Sequence, residues 1–153
     1  MNFYYLITSD VLDRNQELVS SAYDVTLKRF SEKKWPLYRF TTSTNEYQSN
    51  EKLLFYLAGK NKLAQHFIAM AEVGDEGYEE SDLHYDESSN KNIVKGYISL
   101  KNIIIFSKPV SVRENIHELE FIKLQKHWGM YFQGGIRQID EQNFNKILNL
   151  SNQ

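Results

Sequence analysis

Three strand-like segments follow one another between Lys52 and Phe106 with no helical period between them, and this run constrains the fold most. Residues 52–57 read Lys-Leu-Leu-Phe-Tyr-Leu and close on Ala58-Gly59. A basic turn, Gly59-Lys60-Asn61-Lys62, leads into residues 66–73, so the pair reads as a hairpin with a longer loop. Residues 93–106 are long enough for one bent strand or two, and Lys108-Pro109-Val110 is expected to stop them. Strands that follow one another without helices between them pair antiparallel. Aromatics at 14% and only 2 prolines agree, because aromatic side chains suit a pleated surface and proline does not.

The flanking segments add helices. Residues 2–8 are aromatic, aliphatic and β-branched, as in a buried first strand. Ser9 or Asp10 is placed to cap a helix. Residues 10–30 carry Val11, Leu18, Val19, Ala22, Tyr23, Val25, Leu27 and Phe30 at helical spacing, with Arg14, Lys28 and Arg29 toward the polar side, so one helix is expected there. Trp35-Pro36 reads as a connection, since proline biases Trp35 toward extended backbone. Residues 37–43 alternate as a short strand and 44–50 are polar loop. Ser111, with Glu114 three residues on, forms a capping-box pattern for a short helix running to about Leu124. Residues 128–132 are apolar and strand-like, and Gln133-Gly134-Gly135 must turn. Asp140 is a good helix cap, flanked by a hydrophobic staple of Ile139 and Phe144, and the last helix runs from Glu141 to about Leu148. Five or six strands in this length fit an α+β fold, a small partly closed antiparallel β-barrel with helices packed outside. A single domain over residues 1–150 is expected, without internal repeat or linker.

Of the 20 acids, eight lie between Glu72 and Asn90 (Glu72, Asp75, Glu76, Glu79, Glu80, Asp82, Asp86 and Glu87), a stretch without Lys or Arg. The remaining 12 acids face 18 bases, so a body at +6 carries an acidic loop, at about residues 74–91. A basic body points weakly to phosphate backbones. There are 0 cysteines, which excludes disulfides and thiolate chemistry. No apolar run approaches the ~20 residues of a membrane span. The amino terminus has no basic flank or small-residue cleavage site, so a cytoplasmic, intracellular location is expected.

Enzymatic constellations fail one by one. His66, His84, His117 and His127 have no metal spacing, and His84-Tyr85-Asp86 reads as loop before it reads as a metal site. No phosphate-binding or dinucleotide glycine fingerprint surrounds Gly134-Gly135, and no Gly-x-Ser-x-Gly elbow exists. The carboxylate pairs Asp10/Asp13 and Glu118/Glu120 fall on exposed helix faces. Nothing in the sequence calls for a catalytic residue, a metal or a cofactor.

The segment from Leu119 to Leu148 is the most informative. Its Leu119-Glu-Phe-Ile122, Trp128, aromatic Met130-Tyr-Phe132, Gly134-Gly135 and Ile136-Arg137-Gln-Ile139, closed by a capped helix, resemble the end of EVE domains. These belong to the PUA-like superfamily together with YTH domains. Upstream, Phe3–Ser9 resembles the family's first strand, Lys34-Trp35-Pro36 its Trp-Gly, Lys52–Leu57 its Asp-Lys-Leu-Val-Phe-Tyr strand and Phe67–Val73 the strand after that. The resemblance departs at residues 10–34, where a full helix replaces a short segment, at Pro36 in place of Gly, and at the acidic loop.

The resemblance implies a PUA-like reader of DNA or RNA carrying a methylated or hydroxymethylated base, held in an aromatic pocket, with no chemistry of its own. Any cleavage would come from a separate nuclease or NTPase subunit. An extruded base loses its stacking partners, and flat aromatic faces restore them. The expected pocket comprises the aromatics Trp35, Tyr38, Trp128 and Phe132, with Thr8, Ser9 and Gln133 reading the base edge. Lys33, Lys34, Lys126, His127 and Arg137 are expected on phosphates. Each has a structural alternative: Thr8 and Ser9 as caps, Trp128 as core, the cations as a solvated face. Two other readings stand beside it. An RNA-processing hydrolase of PUA-like type lacks its Gly-x-Lys-x-x-Glu-x-Arg pattern here. A protein-interaction module would use the acidic loop.

Overall fold

The computed structural model describes residues 1–39, 46–86 and 92–152. Its strands are β1 (Phe3–Thr8), β2 (Val11–Leu12), β3 (Leu18–Ser20), β4 (Lys34–Tyr38), β5 (Lys52–Leu57), β6 (His66–Tyr85), β7 (Ile93–Ser111) and β8 (Ile136–Ile139). Its α-helices are α1 (Ala22–Glu32), α2 (Val112–Asn115) and α3 (Glu141–Leu150). Six strands, in the order β4-β7-β6-β5-β1-β8, form a mixed sheet curled into a half-barrel. The β2-β3 hairpin stands apart from it.

The expectation of antiparallel pairing holds for every pair of the sheet except β1 and β5, which run parallel with Leu6 opposite Phe55. The chain leaves β1 through the hairpin, α1 and β4 before it returns as β5. A crossover of that kind is what a parallel neighbour requires.

Side chains alternate along β1 and β5, so the sheet carries a core on each face. Leu6, Leu53, Phe55 and Leu57 pack with Phe30, Trp35 and Ile98 on the face covered by α1. Tyr5, Ile7, Leu54 and Tyr56 pack with Phe67, Phe132, Phe144 and Ile147 on the other. α3 closes this second face. Asp140 accepts the Asn143 N–H at 2.7 Å, and Ile139 and Phe144 are both buried as the staple requires.

Several local expectations are corrected. Residues 10–30 are not one helix. The Asp13 carboxylate accepts the N–H groups of Asn15 at 2.8 Å and Glu17 at 3.0 Å, and Gln16 sits at φ 64°. That side-chain turn folds residues 11–20 into the hairpin and leaves Leu18 and Val19 exposed. The cap of α1 is Ser21, whose Oγ accepts from Asp24 N at 3.1 Å, and not Ser9. Trp35-Pro36 is no connection but the middle of β4. Lys33, left-handed at φ 55°, turns the chain from α1 straight into the strand. Pro36 is tolerated because β4 is an edge strand. Residues 40–43 of the expected short strand lie outside the described residues.

The acidic segment is not a loop over 74–85. It continues β6, with Tyr78 opposite Ile98, Glu80 opposite Gly96 and Tyr85 opposite Ile93 of β7. Its carboxylates project from the ladder, so their charge does not oppose pairing. Residues 87–91 of the expected loop lie outside the described residues. β7 runs through Pro109, which stands beyond the stretch paired with β4. The Ser111 cap is present, with Oγ accepting from Glu114 N at 3.1 Å, but α2 spans only Val112–Asn115. Residues 128–132 form part of a kinked 3₁₀ segment, Gln125–Phe132, and the strand follows the Gly-Gly turn as β8.

Candidate nucleic-acid interface

The two tryptophans stand in separate cores on opposite faces of the sheet, so they do not form one cage. Trp35 is 2% exposed and packs against Phe30 and Phe55, with ring centroids 6.5 and 5.0 Å away. Its backbone belongs to β4, which turns it inward. Trp128 is half-buried, edge-on to Phe132 at 5.9 Å. Phe132 is buried and stacks on Tyr56 at 4.0 Å and 19°. Thr8 is buried on the face of Trp35, where its hydroxyl accepts from Thr26 at 2.8 Å. Ser9 and Gln133 are exposed.

The expected cations divide in the same way. Lys33 and Lys34 follow α1 and are exposed. Lys126, His127 and Arg137 are exposed near the other core. Arg137 donates to the Met130 carbonyl at 2.7 Å and lies over the Tyr131 ring. On that face the phenol of Tyr5 donates to the Tyr131 carbonyl at 2.6 Å, and burial pushes its pKa up to about 12.

A cleft of about 200 Å³ opens between α1, β4 and the far part of the β6-β7 ribbon. Val25, Lys28, Arg29 and Glu32 form its helical wall. Lys34 and Pro36 of β4 form its floor, and His84, Asp86 and Tyr97 close the third side. Arg29 is its centre, 9% exposed, with its guanidinium 4.6 Å from the Trp35 ring centroid. The Arg29 Nη2 donates to the Tyr38 hydroxyl at 2.7 Å and lies 3.5 Å from Asp86 Oδ2. The Tyr38 hydroxyl donates to the same carboxylate oxygen at 2.5 Å. Burial raises the Tyr38 pKa and Asp86 adds to the rise, against the pull of Arg29, so the phenol remains a donor.

The outer wall combines an aromatic face with a cation. Lys34 Nζ lies 4.5 Å from the Tyr97 ring centroid. His84 Nδ1 is 2.8 Å from the Asp82 carbonyl, which only accepts, so Nδ1 carries the proton. In the neutral imidazole Nε2 then accepts from the Tyr97 hydroxyl, 2.8 Å away. The cleft thus offers Tyr97 and His84 as flat faces, the buried Arg29 at its centre with exposed Lys28 and Lys34 around it, and two carboxylates, buried Asp86 and exposed Glu32. Such a set holds a ring and an adjoining anion.

Of the expected site residues, only Lys34 lines this cleft, with Tyr38 and Trp35 behind it. Lys28, Arg29, Pro36, His84, Asp86 and Tyr97 were missed. A signal for Arg29 existed. It follows Ala22, Val25 and Thr26 at the spacing of one helical face, and all four are buried. Placing the helix start at Asp10 hid this. Among the described residues no group of three or more His, Asp or Glu is placed to hold a metal ion. No helix among them is long and apolar enough to cross a membrane.

The fold has solved counterparts. Human THYN1 in complex with 5-methylcytosine-containing DNA superposes with a TM-score of 0.62 at 10% identity, covering 100% of this chain and 99% of that one. The N-terminal domain of Staphylothermus marinus McrB gives 0.52 at 9% identity, covering 96% and 93%. The YTH domain of Zygosaccharomyces rouxii MRB1, in complex with N6-methyladenosine RNA, gives 0.50 at 13% identity, covering 98% and 86%. No curated protein matches this chain in sequence. The EVE domain profile matches residues 20–150, and the chain belongs to the EVE domain family.

Proposed function

We propose that this protein reads a modified base in DNA or RNA, as a binding domain without chemistry of its own, and that the base lies in the cleft between α1, β4 and the β6-β7 ribbon. The observation that carries the reading is the pairing, in one cleft of about 200 Å³, of the Tyr97 and His84 rings with Lys28, Arg29 and Lys34. That volume suits one ring system and is below the range of drug-sized ligands. A base out of its helix regains stacking on Tyr97, and an added methyl group contributes roughly 25 cal/mol for each Å² it buries. Lys28 and Lys34 face the flanking phosphates. Two similar folds, THYN1 and the MRB1 YTH domain, are solved with methylated DNA and methylated RNA, which supports the class of ligand. Cleavage, where this protein takes part in it, belongs to a separate nuclease or NTPase subunit.

The experiment is a binding series with short DNA and RNA oligonucleotides carrying 5-methylcytosine, 5-hydroxymethylcytosine, N6-methyladenine or no modification. One modified oligonucleotide is expected to bind tighter than its unmodified twin, and Tyr97→Ala should remove roughly 1–3 kcal/mol of that preference by loss of stacking. Equal affinities across the whole series would sink the reading.

A further inference from the structure

We propose that Arg29 and Tyr38 form a phosphate site for the nucleic-acid backbone, whose anion position is occupied in this structure by the chain's own Asp86 carboxylate. The identity of the phosphate as backbone rests on the base-reading function; the anion site does not.

Arg29 is a buried cation whose contact with its carboxylate is poor. Charge-assisted N–H···O bonds run at about 2.7–2.9 Å and Arg–carboxylate pairs are often bidentate. The contact from Arg29 Nη2 to Asp86 is 3.5 Å, to the one oxygen that Tyr38 also takes. A buried arginine is costly unless something holds it. Here the Trp35 face holds the guanidinium from beneath and the Tyr38 hydroxyl holds its edge. Both contacts fix its orientation without satisfying its charge, which prepares a fork for an incoming anion.

The surroundings favour a phosphate over Asp86. Lys28 and Lys34 line the same cleft, against Glu32 and Asp86. A phosphate that takes the place of Asp86 keeps both the Arg29 and Tyr38 bonds, adds the attraction of the two lysines and carries more acceptor oxygens. Asp86 stands just past the end of β6 and lines the cleft, so displacing its side chain requires no change in the paired strands of the ribbon. Binding in this scheme is weakened by the fraction of molecules in which Asp86 holds the site.

Trp35 supplies a reporter, because an anion on Arg29 changes the charge directly above its ring. The chain has 2 tryptophans, so Trp128→Phe leaves Trp35 as the sole emitter. In that background, inorganic phosphate is titrated against chloride of equal ionic strength, with Asp86 intact and with Asp86→Asn. Asn keeps an acceptor for the Tyr38 hydroxyl and removes the competing charge. A saturable change in Trp35 emission is expected, with a midpoint roughly ten-fold lower in Asp86→Asn, as for a site that Asp86 holds nine-tenths of the time. An unmodified oligonucleotide should show the same ratio. Asp86→Ser carries the same prediction if the Asn variant does not fold. Equal midpoints, or loss of a cooperative melt in both variants, overturn the proposal, the second because Asp86 is then a structural support. A phosphate response without oligonucleotide binding leaves the anion site standing and removes the base-reading function.

Discussion

The carboxylate of Asp10 occupies the space that a side chain on residue 59 would take. A Cβ built on Gly59 would come within 2.6 Å of the Asp10 Cγ and closer to a carboxylate oxygen. Asp10 cannot move aside cheaply, since it accepts from Ala22 N at 2.8 Å, Lys60 N at 2.9 Å and Asn61 Nδ2 at 2.8 Å. One side chain thereby joins the end of β1, the start of α1 and the β5-β6 turn. Gly59 also sits at φ 99°, a conformation that L side chains rarely adopt. Gly59→Ala should therefore cost roughly 1–3 kcal/mol, from backbone strain and the clash together. Chemical denaturation of the variant beside the parent checks this, and an unchanged midpoint would refute it.

Asp10 also makes a pH prediction. Burial works against its charge, but the N–H donors of Lys60, Ala22 and Asn61 outweigh burial and hold its pKa below the ordinary 3.8. A carboxyl depressed in the folded state stabilises above its unfolded pKa, and the benefit is lost as pH falls through the folded value. The stability gap between the parent and Asp10→Asn should be full at neutral pH and close below about pH 3.8. Denaturation curves at a series of pH values measure the gap. A gap that persists unchanged at low pH would show that the donors do not favour the charged form.

How far the sequence discloses the fold depends on which force decides each element. The staple of Ile139 and Phe144, the Ser111 cap and the β5 run are local patterns, and each is realised. The hairpin at residues 11–20 was hidden because its apolar residues happen to fall at helical spacing, while a carboxylate turn at Asp13 decides the backbone. The cleft was hidden for a different reason. Its walls come from α1, β4 and the far end of a long ribbon, and nothing in the neighbourhood of Asp86 in sequence announces Arg29, 57 positions away. Grouping Trp35 with Trp128 failed because the alternation of β1 and β5 assigns each to its own face.

Trp35 should behave as a core residue. Trp35→Ala removes a 2%-exposed indole from Phe30 and Phe55, and the cost should be about 3–5 kcal/mol of folding stability. Trp128, half-buried, should cost less. Melting temperatures of the two variants decide the order. A Trp35→Ala protein as stable as Trp128→Ala would mean that the indole is not part of the α1 core.

The acidic ribbon should not be dispensable. Deleting residues 75–86 removes the β6 partners of Val94 to Ile98, together with half-buried Tyr78 and the Arg29 contact of Asp86. A marked fall in melting temperature is expected. Glu79→Lys with Glu80→Lys, both on exposed side chains, should leave it nearly unchanged, within about 0.5 kcal/mol. If the deletion melts like the parent, residues 75–86 contribute nothing to the sheet.

The last prediction separates the two faces. Lys34 lies at the cleft with its Nζ over Tyr97, while Lys126 is exposed on the 3₁₀ segment beside the opposite core. If nucleic acid lies along the α1 side, Lys34→Glu should weaken binding to modified and unmodified strands alike. It should also flatten the salt dependence by about 0.9 in log–log slope for duplex, or about 0.7 for single strand, because one phosphate is no longer neutralised. Lys126→Glu should leave both affinity and slope near those of the parent, because the thickness of the sheet and its two cores separates it from the cleft. Salt titrations of the two variants with one oligonucleotide measure both quantities. The reverse pattern, with Lys126 carrying the slope and Lys34 silent, would move the backbone to the face of Trp128 and Phe132, and with it the base.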